Sequence, residues 1–297
     1  MHWRGGSQQE GPTSAMILIT AATGQIGGAA LQAIAASGKS VRALVRQPSL
    51  FTGAAGVEIV EGNFDDDLSL RRALDGIEVM LLAGRDSPQS VCQHRRVLGH
   101  ARDAGVRHIV KLSAIGATPR SPVALMREHA EVDKEVMQGP ANWTFLKPHL
   151  FMQNLLRAAD TIRSTGRFAA PMGQGGFPVV DTRDVGIAVA TVLGDPAVHA
   201  GKSYALTGPA ATSYDEVAAT FTTVLGRPVT YEAVSPDEFE SRLLSAGIPD
   251  WRAFDLAHIA SAYGNADNDV SPDLAVLLGR DSTSLESFIK DHEEIFV

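Results

Sequence analysis

From Met16 onward the chain alternates between short apolar runs and longer stretches with helical spacing. "MILIT", residues 16–20, is apolar up to its last position, the mark of a strand buried on both faces. Ile26, Ala29, Ala30, Ala33 and Ile34 then fall along one side of a helix that runs to Ala36, and Gly38 supplies a stop. "SVRALV" and "VEIV" read as the second and third strands, "LSLRRAL" as a short helix ended by Gly76, and "EVMLLA" as the fourth strand. A helix from about Gln89 to Ala104 leads into "HIVKLSA", and another from about Ala124 to Met137 leads into "WTFLKP". This alternation predicts parallel βαβ units and an α/β fold, a Rossmann-type doubly wound parallel sheet.

After Pro148 the pattern is less regular. "VVDTRDVGIAVATVL" reads as a strand end followed by a buried helix, and "SYALTG" as another strand. Ser213 with Glu216, and Ser235 with Glu238, have capping-box spacing; Pro236 and Pro272 suit the first helical position after serine caps. These features predict a core over residues 16–150 and a smaller, mostly helical lobe over 151–297, with elements returning to the sheet. Tyr204, Tyr214 and Tyr231 read as structural residues of that lobe. Residues 1–15, polar and glycine-rich, predict a disordered tail.

Composition narrows the chemistry. A net charge of −8 without a Lys/Arg run argues against a nucleic-acid partner. Cys92 is the only cysteine, and His94 and His100 do not share a helix face, so no metal site is expected. No apolar run reaches membrane-spanning length and the opening lacks a secretory signal, so the expected compartment is the cytoplasm. A homo-oligomer stays open.

The first strand runs into Ala21-x-x-Gly24-x-x-Gly27 and then a helix, the arrangement that cradles a pyrophosphate. Gly24 allows close approach to phosphate, and Gly27 allows the helix to pack against the strand. Ala21, where a first glycine is usual, adds a methyl group that is tolerable at negative φ. Thr23, Gly24, Gln25, Ile26 and Gly27 are therefore candidate cofactor contacts at the positive helix end. The second strand ends in "ALVRQPS", with no acid for a ribose 2′-hydroxyl but with Arg46, whose guanidinium suits a 2′-phosphate. The alternative is a solvated surface arginine. NADPH is the expected cofactor, and the 16–150 core its binding domain. Asn63 and Phe64, in "GNFDDD", could border the adenine, while Asp66 or Asp67 could cap the next helix. Leu82 and Ala83, at the fourth strand's end, and Pro148, at the sixth's, complete the candidate cofactor set.

Together these residues resemble the NmrA-like branch of the atypical short-chain dehydrogenase/reductases, and within it the type 2 NADPH–quinone oxidoreductases. The likeness is carried by "ATGQIG", "ALVRQP", "QHRRVLGHARDAGVRHIVKLS", "EHAEVDKEV", "NWTFLKPHLFMQN" and "SYDEVAATFTTVLGRPVTY". It implies a Rossmann fold, bound NADPH and hydride transfer to quinones without flavin; some members of the family sense the cofactor instead. The superfamily's Tyr-x-x-x-Lys is missing, and His129 and Asp133 occupy that spacing. An alcohol–ketone reductase needs that proton donor. A quinone, whose reduced form is a weakly basic aromatic anion, does not.

The expected function is NADPH-dependent hydride transfer to a quinone or related conjugated aromatic acceptor; the alternative is a non-catalytic NADP(H)-sensing regulator with a protein partner. Candidate catalytic residues are His129, as a hydrogen-bond or proton donor, Ser113 past the fifth strand, and Asn154 facing substrate. Their alternatives are a structural histidine and a turn serine. His149 and Leu150 could pass beside the nicotinamide, while Phe151 and Met152 are more often core. His94 reads as a helix-surface or helix–helix residue, and "YGNADND" as a polar loop over the pocket.

Overall fold

The computed structural model describes residues 15–51, 53, 55–263 and 268–297. Residues 1–14 of the expected tail and 264–267 of "YGNADND" lie outside the described residues. In the first half the elements are β1 (Ile17–Ile19), α1 (Gln25–Ala36), β2 (Val41–Val45), β3 (Val57–Glu61), α2 (Asp67–Leu74), β4 (Val79–Leu82), α3 (Ser90–Asp103), β5 (His108–Leu112), α4 (Ala124–Gln138) and β6 (Asn142–Pro148). Next come α5 (Ala159–Thr165), β7 (Arg167–Ala170), β8 (Gly176–Phe177), α6 (Thr182–Gly194), α7 (Pro196–His199), β9 (Lys202–Leu206) and β10 (Thr212–Ser213). The chain ends with α8 (Tyr214–Leu225), β11 (Thr230–Ala233), α9 (Pro236–Ser245), α10 (Asp250–His258), α11 (Asp273–Leu278), α12 (Leu285–Asp291) and α13 (Glu293–Phe296).

Seven parallel strands form one sheet in the order β3-β2-β1-β4-β5-β6-β9. Alternate strand residues feed opposite faces. Ile17, Ile19, Val79, Leu81 and Val110 pack under α1 and α6, while Leu18, Met80, Leu82, Ile109 and Phe145 pack under α2, α3 and α4. Gly186 lets α6 lie close on α1: a Cβ there would stand 2.4 Å from the Ala29 Cβ. The strand order reverses between β1 and β4, which opens a crevice at their carboxyl ends.

The smaller lobe is assembled from three excursions of the chain. Its core joins Phe168, Tyr214, Phe221, Phe288 and Phe296 across β7, α8, α12 and α13. Two small sheets, β8 with β10 and β7 with β11, accompany its helices. Ser213 and Glu216 form the capping box, and Ser235 caps α9 with Pro236 in its first turn. Two expectations change. Tyr204 sits on β9, at the edge of the central sheet, where its hydroxyl meets His199 Nδ1 at 2.8 Å. Pro272 is the N-cap of α11 rather than its first residue, because its carbonyl accepts the first helical hydrogen bond, from the Val276 amide.

The turn after β1 holds a further correction. Ala21 has φ +51°, a left-handed conformation, and is the one non-glycine residue with positive φ among the described residues. Its carbonyl accepts from the Gly24 amide at 2.9 Å and lies where a Cβ on Gly27 would come within 2.3 Å. The tight turn that brings strand and helix together fixes the sign of φ, and an alanine occupies it at a steric cost of roughly 1 kcal/mol. We predict that Ala21→Gly raises stability by about 0.5–1 kcal/mol and leaves cofactor affinity nearly unchanged. Chemical denaturation and a binding titration read the two effects; lower stability in the glycine variant would contradict the strain.

Candidate active site

Helix α1 begins bare. Its N-cap, Gly24, offers no side chain, and its first turn holds no acid, whereas Asp66, Asp181, Ser213, Ser235 and Ser284 cap other helices. Thr23, Gly24 and Gln25 are exposed, so the first-turn amides, those of Gln25, Ile26 and Gly27 included, face the crevice with positive partial charge. Thr20 Oγ1 donates to the Leu81 and Ala83 carbonyls at 2.8 and 2.7 Å and accepts from the Ala83 amide, which ties the end of β1 to that of β4. Leu82 and Ala83 are buried at that junction. Arg46 is exposed just past β2, makes no ion pair with any described residue, and lines an open cleft of about 630 Å³ with Gly62 and Asn63. The Asn63 side chain accepts from the Asp65 amide, and Asp66 caps α2. The bare helix end, the close approach at Gly27 and the free guanidinium fit a dinucleotide with an extra phosphate.

At the other end of the crevice, β5 carries a lysine inward. Lys111 pairs in register with Leu82 and Phe145 on the α4 side of the sheet and is 1 % exposed. Its ammonium donates to the Leu112 carbonyl and, at 3.2 Å, to His129 Nδ1. Burial pulls its pKa down to about 8, against the opposing influence of Asp133 and Asp86. His129 is held well below the ordinary imidazole range by burial first and then by the Lys111, His94 and Lys147 charges. With Nδ1 accepting from Lys111, the neutral ring, half-buried on α4, carries its hydrogen on Nε2, which has no partner among the described residues.

Asp133, one helical turn after His129, shares its face of α4. It accepts from Ser113 Oγ at 2.6 Å and lies 3.8 Å from Lys147 Nζ; burial raises its pKa. Ser113, 2 % exposed, is thus committed to the carboxylate. The start of α4 is fixed from the lobe, because Asp255 on α10 accepts from the Ala124 and Leu125 amides at 2.9 Å each. His94 is not a surface residue: Nδ1 donates to the Ser90 carbonyl, and the ring packs against Gly84 and edge-on to Phe64. Burial lowers its pKa to about 4. His149, past Pro148 on β6, is buried and stacks on Tyr263 at 4.2 Å. Asn154 is exposed on the 3₁₀ turn Met152–Ala158, and no contact joins its side chain to this group. Met152 is core.

A model of the NmrA-like family matches residues 13–294. The chain belongs to the NmrA-like family. It is similar to an NAD(P)H azoreductase of Xenophilus azovorans, 31 % identical over 95 % of this chain and 99 % of that protein. It is also similar to a (4-alkanoyl-5-oxo-2,5-dihydrofuran-3-yl)methyl phosphate reductase of Streptomyces griseus, 34 % identical over 95 % and 99 %. Among solved structures it resembles the NADPH complex of the Escherichia coli NADPH-dependent quinone oxidoreductase QOR2, with a TM-score of 0.86 and 31 % identity over 94 % of this chain and all of that one.

In this NmrA-like protein His129 and Ser113, both expected from the sequence as candidates, lie in one cluster with Lys111, Asp133 and Lys147, whose contacts the sequence did not predict. The signal for Lys111 was present: a charge inside the apolar run "HIVKLSA". Its pKa shift carries a stability consequence. A fall from 10.5 to about 8 places roughly 3 kcal/mol of penalty on the charged folded form. That penalty is complete below about pH 8, fades as the pH rises toward 10.5, and is gone above it, because the unfolded lysine holds its proton longer. Lys111→Met should therefore melt at a higher temperature than the parent at pH 7, with an advantage that shrinks toward pH 10.5, reduced throughout because Asp133 loses a neighbouring cation. Thermal melts across that range check it; a lower melting temperature at pH 7 would make the ammonium net stabilising.

Proposed function

We propose that this chain is an NADPH-dependent oxidoreductase that reduces a quinone or related conjugated acceptor without flavin. The observation that carries the reading is the contact of Lys111 Nζ with His129 Nδ1 at 3.2 Å, which sets the hydrogen of this half-buried ring on Nε2. The names of the relatives point the same way: azo compounds, quinones and an acylated oxo-dihydrofuran are all conjugated.

In this reading the Thr23–Gly27 turn and the first amides of α1 hold the pyrophosphate, and Arg46 holds the 2′-phosphate. Asn63 and Phe64 border the adenine; Leu82, Ala83 and Pro148 flank the nicotinamide. When bound, NADPH supplies the hydride. His129 Nε2 donates to the acceptor oxygen and orients it, while Asn154 contributes to the substrate side. Ser113 holds the Asp133 carboxylate behind His129. A carbonyl that becomes part of an aromatic ring on reduction spreads its new charge, so a neutral imidazole suffices where an alkoxide would need a stronger acid.

NADPH oxidation with a panel of quinones tests the activity, and tight NADPH binding without turnover of any of them would favour a cofactor-sensing role. Arg46→Ala should weaken NADPH binding by roughly 1.5–3 kcal/mol, about 10- to 150-fold, and hardly alter NADH binding. Titration of both cofactors decides this, since equal weakening would make Arg46 structural. His129→Phe should lower quinone turnover roughly tenfold to a hundredfold with NADPH affinity kept. Complete loss of turnover in a folded variant would make His129 an essential acid, and no change would remove it from the site.

A further inference from the structure

Lys111 does not behave as a structural ion-pair residue. No described carboxylate lies within ion-pair distance of its ammonium; Asp133 is engaged instead by Ser113 and Lys147. A methionine or leucine would fill this position on β5 at lower cost, since a buried charge is stabilising only when well paired. Apart from the neighbouring Leu112 carbonyl, its single hydrogen-bond partner among the described residues is His129 Nδ1.

We propose that Lys111 is a positioning residue that locks the His129 ring in the Nε2–H form and returns a proton to it during turnover. The proposal rests on the assignment of His129 as the donor to the acceptor. Once the acceptor has gained a hydride from the reduced nicotinamide, its charged oxygen takes the Nε2 proton. The N–H bond at Nε2 breaks as the O–H bond forms. On the other side of the ring one Nζ–H bond breaks and an Nδ1–H bond forms. His129 stays neutral throughout, and Lys111 becomes a neutral amine. After product leaves, a proton from solvent hydronium binds Nε2 as the Nδ1 proton returns to Nζ, which restores the ammonium and leaves water. No separate channel to the buried lysine is required.

The groups facing Lys111 suit this exchange. Asp133 on α4 and Asp86 after β4 favour its charge, while burial opposes it. Lys147 on β6 helps to keep His129 neutral, and His94 on α3 is itself neutral above about pH 4. The lysine is thereby poised near physiological pH, where a proton can be released and regained.

Two-bond proton–nitrogen spectra of the full-length protein, labelled in histidine, read the tautomer without any cofactor. In the parent, His129 should show an unprotonated Nδ1 and a protonated Nε2, with no titration near the ordinary value of 6.5. In Lys111→Met the ring should titrate closer to 6.5 and populate both tautomers. Quinone turnover in that variant should fall roughly tenfold or more with the KM for NADPH unchanged; the parent should lose rate above about pH 8, and the variant should show no such loss. Lys111→Arg, a cation that does not release its proton, should keep the tautomer and still lose rate. An Nδ1–H tautomer in the parent overturns the proposal, and so does full turnover in Lys111→Met once its tautomers have mixed. A locked parent ring in a protein that reduces no quinone would instead sink the enzyme reading and leave the lock standing.

Discussion

An ammonium group buried on a central parallel strand is the constraint around which this site is built. Lys111 lies between β4 and β6 with helices above it, so its charge must be met by groups that reach the same few ångströms. The chain meets it with the Leu112 carbonyl, a histidine ring nitrogen and the nearby Asp133 charge, rather than with a direct ion pair. That choice fixes the ring of His129 and, together with burial, holds it neutral. A buried charge thereby becomes the polar partner of His129 at a strand position where a hydrocarbon side chain would pack at lower cost.

The second lobe takes part in that geometry. Helix α4 has Val123 at its N-cap and no side-chain cap of its own. Asp255, on α10, supplies both acceptors instead. The helix that carries His129 and Asp133 is therefore anchored at one end by the lobe and along its length by Val132 and Val136 on the sheet. The lobe thus fixes the start of α4, just over one turn before His129, so the placement of that side chain depends on contacts far along the chain.

At the opposite end of the crevice the backbone carries the strain. Ala21 holds a left-handed conformation so that its carbonyl can pass beneath Gly27 and cap the Gly24 amide. A methyl group does not prevent this turn; it makes it costlier. Strain of this kind persists where the surroundings determine the backbone, here a strand and a helix that must meet around an open anion site. The uncapped α1 and the unpaired Arg46 leave positive charge available along the same edge.

Local pattern was enough for much of this. The apolar run at Ile17–Ile19, the glycines at 24 and 27, and the alternation through Pro148 predict the parallel sheet and the helix that opens on its edge, because burial imposes a period that short stretches display by themselves. Arg46 was legible as a departure from the acid expected there. What local pattern did not hold was anything decided between distant segments. "SYALTG" reads as a strand, but its place as the seventh member of the sheet depends on α6 returning to pack on α1. The sign of φ at Ala21 follows from where Gly27 must sit, and the cap on α4 comes from Asp255, 130 residues further along the chain. Lys111 appeared in the sequence only as a charge in an apolar strand. Its meeting with His129 arises because β5 and α4 bring two side chains to one face, and no periodicity in either segment encodes the partner across the gap.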